Sequence, residues 1–325
     1  MELDGDTLNS YKDHFVRINE ELERSLVSRV PFIQDIGTHT LLGRGKRLRP
    51  LLFVLSSSLC NYQGEDMYRL STIFEIVHSA SLLHDDVLDN ADVRRKKPSA
   101  NYLWGNHAAV LEGDFLSSRA FSIAVGSNNL AFLDMITDCT TRMAEGQIME
   151  LIHTDDWDTT RQEYMEIITD KTAVLISAAC ACGAIISGAE EGARERLANF
   201  GLNMGIAFQL TDDVLDYTSS EEVFGKPVGK DIRERKITLP LIYYLSTQDA
   251  SEKERLERLF KGRDPVESDY RDLIGLVRGK GVLDRIWHEA ESRVAEAMDC
   301  LRPFPDSPVK QSLLELSRYA IEREY

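Results

Sequence analysis

Along most of this chain the apolar residues recur at the 3.6-residue spacing of a helix, and the alternating pattern of a strand is nearly absent. That pattern restricts the fold to an all-α architecture. It predicts helices over residues 6–28, 47–60, 66–91, 99–125, 130–152, 160–188 and 191–217, with several shorter ones toward the C-terminus. The breaks fall at Gly, Pro and Asx clusters such as NYQGED, RRKKPSAN, GSNN and RPFPDSP. At 325 residues and 43% hydrophobic, length alone permits one large core or two smaller ones. The short connections favour one bundle-like domain over residues 1–325, without linker or repeat.

The longest uncharged run, TAVLISAACACGAIISGA between Lys171 and Glu190, has the length at which a membrane span becomes feasible. Its Ala, Ser, Gly and Cys content suits a close-packed central helix better. Within it, Cys180 and Cys182 are expected on different sides of the helix. Five scattered cysteines without metal-ligand spacing read as reduced structural thiols of a cytoplasmic protein, and the acidic, polar start lacks the layout of a signal peptide. The formal net charge of −16 argues against a nucleic-acid partner, which would require many phosphate-neutralising cations.

Five residues, DDVLD, occur twice inside apolar helical segments, at Asp85–Asp89 and Asp212–Asp216. Residues four apart share a helix face, so Asp85 stacks on Asp89 and Asp212 on Asp216. Like charges so placed repel, and neither word contains a cation. Solvated helix faces are the bland reading, and the apolar flanks HSASLL and MGIAFQL disfavour it. Mg2+, which takes oxygen ligands and bridges carboxylates to phosphates, fits better, and two facing words would clamp a diphosphate.

Cationic words accompany the acidic ones. GRGKRLRP supplies Arg44, Lys46, Arg47 and Arg49, and its glycines let backbone N–H groups approach an anion. RRKKP supplies Arg94 and Arg95, and the loop from Glu221 to Pro240 concentrates Lys226, Lys230, Arg233, Arg235 and Lys236. His78 lies two helical turns before Asp85. Alone it reads as a core histidine; aligned with the acidic word it reads as a phosphate donor.

These motifs, in the order GRGKRLRP, HSASLLHDDVLDNADVRRKKPSANYLWGNHAAVLEGDFL, DKTAVLISAAC, AFQLTDDVLD and GKPVGKDIRERKITLPLIY, resemble the trans-isoprenyl diphosphate synthases, the polyprenyl synthetase family. The resemblance implies an isoprenoid-synthase helical bundle around a deep central cavity. It implies Mg2+, three ions with substrate bound and replaceable by Mn2+, held by Asp85, Asp86, Asp89, Asp212, Asp213 and Asp216. Arg94, Lys171, Thr172, Gln209, Lys226 and Lys236 then fall at the allylic diphosphate, and Lys46, Arg49, His78 and Arg95 at isopentenyl diphosphate. Asp85, Asp89, Lys171, Asp212 and Lys226 would carry the catalytic stabilisation of leaving diphosphate.

The family, with the apolar helices around 99–150, also implies a homodimer, and it leaves room for a peripheral membrane contact at product release. Lys96 stands where relatives commonly have the Gly of RRG, and Lys230 and Arg235 replace residues that are often Asn or Asp and Gly.

Ala80 and Ser81 lie about one turn below Asp85, where short-chain members often carry aromatic plugs. Val77 and Phe74 lie deeper, with Phe74 a candidate floor. Small residues at the upper positions favour a long, octaprenyl-type product for quinone side chains. A short-chain farnesyl or geranylgeranyl synthase, a terpene cyclase or head-to-head enzyme, and a non-catalytic subunit of a heteromeric synthase are the competing readings.

Overall fold

The first helix ends at Ser25, short of the bound that the periodicity gives, and a further helix begins at Pro31. The computed structural model describes residues 11–43, 45–94, 96–218, 228–261, 265–279 and 281–322. Within it α1 (Lys12–Ser25) stops short of Pro31, and this proline, tolerated in a first helical turn, opens α2 (Pro31–Thr40), a helix that the periodicity does not predict. Then come α3 (Leu48–Leu59) and α4 (Met67–Leu88), which carries the first acidic word. Arg44, Arg95 and Lys226 lie outside the described residues.

A minimal antiparallel hairpin pairs β1 (Val93–Arg94) with β2 (Lys97–Pro98), and Lys96 before β2 has φ 63°. The segment expected as one helix over 99–125 is two, α5 (Ala100–Trp104) and α6 (Asn106–Val125), because Gly105 at φ 84° breaks the helical path. Next are α7 (Leu130–Ile152), α8 (Arg161–Ile168), a π-helical turn at Thr169–Ala173, α9 (Val174–Ile186) and α10 (Glu191–Thr218), which carries the second acidic word. The C-terminal part contains α11 (Lys230–Arg233), α12 (Leu239–Ser246), α13 (Ala250–Lys261), α14 (Glu267–Arg278), α15 (Val282–Cys300) and α16 (Pro308–Glu322). Two of these are long: α15 has 19 residues and α16 has 15, beyond the short helices expected there.

Two apolar cores flank α9. One holds Leu51, Leu55, Phe200, Met204, Tyr217, Tyr244 and the inner faces of α15 and α16; the other holds Phe53, Phe74, Leu116, Phe132 and Ile136. Both α3 and α9 contribute to each. Cys180 faces the first core and Cys182 the second, as their spacing requires, and all five cysteines are free. The continuous run Arg161–Ile186 is apolar and long enough to cross a membrane, yet 72% of its apolar window is buried inside the fold, the behaviour of a central helix.

The π turn sits between two close approaches. A Cβ on Gly146 of α7 would stand 2.4 Å from the Lys171 backbone nitrogen, and one on Gly205 of α10 would stand 2.6 Å from the Ala173 Cα. Only glycine admits both neighbours this closely, and the widened turn carries Lys171 and Thr172 between them.

Candidate active site

The first acidic word ends α4. Asp85 and Asp86 lie in its last turn and Asp89 caps it, the Asp89 N–H donating to the Asp85 carbonyl at 2.8 Å. Asp85 and Asp89 are half-buried, but Asp86 is turned inward, 4% exposed, where its Oδ1 accepts from Arg94 Nε at 2.7 Å and Nη2 at 2.6 Å. The hairpin thus folds its arginine back onto the word. The word itself contains no cation, and three from outside it supply the charge: Arg94, Lys171 and Lys236.

Burial pushes the Asp85 carboxyl up, against the lowering charges of Lys171 and Arg94, while Glu150 and Asp89 add to the rise. Glu150, on α7, accepts from Lys171 Nζ and from Gln147 Nε2. The sequence reading omitted it, because a lone glutamate on a mostly exposed helix has no local signal; only the tertiary contact of α7 with the π turn brings it to the cleft.

In the second word, on α10, Asp212 is half-buried. Asp213 is 1% exposed and fully engaged: its Oδ2 accepts from the Tyr164 hydroxyl and its Oδ1 from Gln209 Nε2 at 2.9 Å. Burial raises its carboxyl to about 7, against those two hydrogen bonds, with Asp212 and Asp216 adding to the rise. Thr172 Oγ1 donates to Gln209 Oε1 at 3.3 Å, joining the π turn to this word. Asp216 reaches the other way and accepts from the backbone N–H groups of Lys230 and Asp231 at 3.0 and 3.1 Å. Asp231, also absent from the sequence reading, is held well above the ordinary range by burial and by Asp216 and Asp213.

The last basic loop divides. Arg233 turns outward to Glu267 and Arg235 to Asp155, so those two do not join an anion cluster. Lys230 pairs with Glu234 at 2.8 Å. Lys236 enters the cleft, where its ammonium lies 2.8 Å from Glu234 Oε2 and 3.4 Å from Asp89 Oδ2. Burial alone would lower this ammonium, but Glu150, Glu234 and Asp89 hold it above the ordinary lysine range. Lys236 therefore links the first word to the loop that is tied to the second.

Arg47 is corrected from anion ligand to scaffold. It is 6% exposed, adopts φ 49°, and donates to Glu75 at 2.7 Å, Asn19 at 3.0 Å and the Gly43 carbonyl at 3.1 Å. Lys46 beside it is exposed and contacts Tyr319 of α16. Arg49 is half-buried in the first turn of α3, and His78 half-buried on α4. Below Asp85, Ser81 donates to the His78 carbonyl at 2.9 Å, Ala80 is 3% exposed, and Val77 and Phe74 belong to the second core. The Phe74 ring lies 5.3 Å from that of Phe53, which meets Phe132 edge-on.

The donor set suits a hard divalent cation. Asp85, Asp213, Asp216 and Asp231 all sit above the ordinary carboxylate range chiefly through burial, so a cation placed beside them would favour their ionised forms. Among the described residues no three carboxylates converge as a ready-made cage. Mg2+ needs none, since it binds through one or two carboxylates together with substrate phosphates.

Residues 30–277 match the polyprenyl synthetase family model. The chain is 35% identical over 313 residues to octaprenyl diphosphate synthase of Haemophilus influenzae, covering 95% of this chain and 94% of that one. It is 34% identical over 319 residues to all-trans-nonaprenyl-diphosphate synthase (geranyl-diphosphate specific) of Rhodobacter capsulatus, covering 98% and 97%. The crystal structure of a polyprenyl synthase from Caulobacter crescentus, complexed with calcium and isoprenyl diphosphate, superposes with a TM-score of 0.92 at 35% identity over 98% of this chain and 97% of that one. With both acidic words brought to one cleft of an all-α isoprenoid-synthase fold, the chain belongs to the polyprenyl synthetase family and is a prenyltransferase.

Proposed function

We propose that this single polyprenyl synthetase domain extends an allylic diphosphate primer with isopentenyl diphosphate by head-to-tail trans condensation, releasing diphosphate and building a long, octaprenyl-type chain. The observation that carries the proposal is the double linkage of the acidic words across one cleft. Lys236 runs from Asp89 to the loop capped by Asp216, and the π turn runs from Lys171, whose charge acts on Asp85, through Thr172 and Gln209 to Asp213. Two walls so placed grip one diphosphate between them.

Asp85, Asp89 and Asp212 are the carboxylates we assign first to Mg2+. Asp86, Asp213 and Asp216 already accept from Arg94, from Tyr164 and Gln209, and from two backbone N–H groups, so their first task is to hold the words in place. Bound divalent ions would stabilise the charge that develops on the departing diphosphate. Lys171, Lys236 and Arg94 supply the protein's share of that stabilisation, and Lys226 is proposed to join them. Ionisation leaves an allylic carbocation, the double bond of isopentenyl diphosphate attacks it, and loss of a proton to the released diphosphate completes the condensation. Lys46, Arg49, His78 and Arg95 are assigned to the isopentenyl diphosphate. The small Ala80 and Ser81 leave the descending tail unplugged at the first turn below Asp85.

We further infer a homodimer. Leu111 (67% exposed), Leu151 (67%) and Ile152 (68%) on α6 and α7 present a larger apolar face to solvent than a monomer needs; sedimentation as a fully active monomer at micromolar concentration would refute it. The enzymatic test is product analysis with isopentenyl diphosphate, Mg2+ and allylic primers of several lengths. Linear prenyl diphosphates of about eight units support the proposal. A cyclised hydrocarbon, or no turnover, overturns it.

A further inference from the structure

We infer that Arg142, on α7, is a positioning residue for Lys171: its ion pair with Asp170 pins the register of the π turn, so that the Lys171 ammonium is aimed into the cleft. The inference rests on the assignment, made above, of Lys171 to the departing diphosphate. Arg142 Nε and Nη2 both donate to Asp170 Oδ1, at 2.9 and 2.5 Å. Asp170 directly precedes Lys171 in the chain.

Arg142, Gly146 and Glu150 stand four residues apart along α7 and so share one face of that helix. The face meets the π turn in three successive steps. Arg142 takes the Asp170 carboxylate. Gly146 makes room for the backbone, since a Cβ there would stand 2.8 Å from the Asp170 carbonyl carbon and 2.4 Å from the Lys171 nitrogen. Glu150 takes the Lys171 ammonium. The order cation, gap, anion on α7 thus matches anion, backbone, cation on the turn, and a turn slipped by one residue would lose both ion pairs at once.

The register needs such a pin. A π turn is one residue wider than an α turn, and here the Val174 N–H donates to the Thr169 carbonyl five residues back. Within the continuous helical run Arg161–Ile186, backbone hydrogen bonds alone do not fix where that extra residue sits. Moved past Lys171, it would carry the lysine about 100° around the helix axis, out of line with the acidic words. Glu150 cannot be the pin, because Lys171 must leave it when a diphosphate binds. Asp170 keeps Arg142 throughout that exchange, so the backbone stays in place while the ammonium changes partner.

Arg142→Gln and Asp170→Asn should each lower kcat about tenfold, part of the ~10²-fold that a misplacement of about 1 Å can cost, and raise KM for the allylic diphosphate about threefold. KM for isopentenyl diphosphate should stay within about twofold, because Arg49 and His78, assigned to it, lie on α3 and α4. The direction of the two changes separates position from charge. Acting through space on the leaving group, loss of a cation would slow the reaction and loss of an anion would quicken it; acting on the register, both slow it. The double variant should fall no further than either single one, and Arg142→Lys, which keeps the charge and a donor, should stay within about threefold of the parent.

Steady-state kinetics with each substrate varied in turn, alongside circular dichroism and amide hydrogen exchange of every variant, makes the test. Faster exchange at residues 170–174, with kcat lowered alike in both single variants, supports the inference. Opposite changes in kcat, an unchanged kcat, or losses that add in the double variant overturn it. Equal rises in KM for both substrates also overturn it, since they report a general loosening of the fold. Should a neutral variant lose its helical signal, Arg142→Lys carries the test: faster exchange at 170–174 without any fall in kcat overturns the inference. If Lys171→Met leaves kcat and the allylic KM unchanged, the assignment of Lys171 fails and the inference falls with it. If Lys171→Met lowers kcat while the Arg142 and Asp170 variants do not, only the pin fails.

Discussion

Replacing Glu112 by Gln should stabilise the protein by about 2 kcal/mol above pH 7 and by almost nothing below about pH 4.5. Glu112 lies on α6, is 2% exposed, and has no hydrogen-bond partner for either carboxylate oxygen among the described residues. One oxygen is 3.1 Å from where a Cβ on Gly37 of α2 would stand, alongside Leu26, so α2 lies over it as a lid. Burial raises this carboxyl from 4.5 to about 7.

The folded chain therefore holds the proton more tightly than the unfolded chain does. Below about pH 4.5 both states are protonated and folding loses nothing. Between about 4.5 and 7 the unfolded state ionises first and stability falls, and above about 7 the loss is constant. A shift of that size corresponds to roughly 3 kcal/mol. Solvent at the exposed outer face of α2 screens part of it and leaves about 2. Gln keeps the shape and the unmet polar atoms but never ionises. Urea midpoints at equal protein concentration and unchanged m-value should separate variant and parent by under ~1 kcal/mol at pH 5 and by ~2 kcal/mol at pH 8. A gap of the same size at both pH values, or a variant less stable at pH 8, refutes the reasoning. The residue bears on function because α2 leads into the stretch that carries Lys46.

Asp85→Ala and Asp212→Ala should each lower turnover at least ~10²-fold with helical content intact, and near-normal Mg2+-dependent rates in either would sink the two-wall clamp. Ala80→Phe places a ring one turn below Asp85 where the interior is close-packed, so chains should stop at about three or four isoprene units. An active variant with an unchanged long product, seen by mass analysis, would show that the tail runs elsewhere. Lys96→Gly and Arg235→Gly should each stabilise the fold by about 1 kcal/mol in denaturant titration, since both residues occupy left-handed conformations at φ 63° and 60°, and a loss of stability would contradict that.

Those last two positions show what one sequence can and cannot disclose. Lys96 and Arg235 stand out against the family's glycines as added charge, yet their cause for notice is backbone: each sits where φ is positive, and glycine is the residue without a penalty there. The long helices were legible because 3.6-residue periodicity is written locally. The break at Gly105 and the π turn were not, because neither is marked by a local interruption of the helical residue types beyond that one glycine. Among site residues the acidic words announced themselves by repetition. Glu150, Asp231 and Tyr164 did not, because each becomes part of the cleft only through a contact with a distant element: the π turn, the end of α10, and Asp213. Arg233 and Arg235 misled for the same reason, since their outward partners Glu267 and Asp155 are remote in sequence.

The pairing of the cleft cations also bears on how substrate enters. Lys171 and Lys236 are engaged by Glu150, Glu234 and Asp89 before any diphosphate arrives, so binding must exchange partners. A diphosphate arriving alone would take these ammoniums and leave half-buried carboxylates uncompensated. A divalent cation arriving alone would find its carboxylates already facing lysines, with no preformed cage among the described residues. Were they to arrive together, the metal would take the carboxylates that the lysines leave and the phosphates would take the lysines, so every charge would keep a partner. The burial that lifts Asp85 and Asp213 above the ordinary carboxylate range would thus favour metal and diphosphate binding as one unit over either alone.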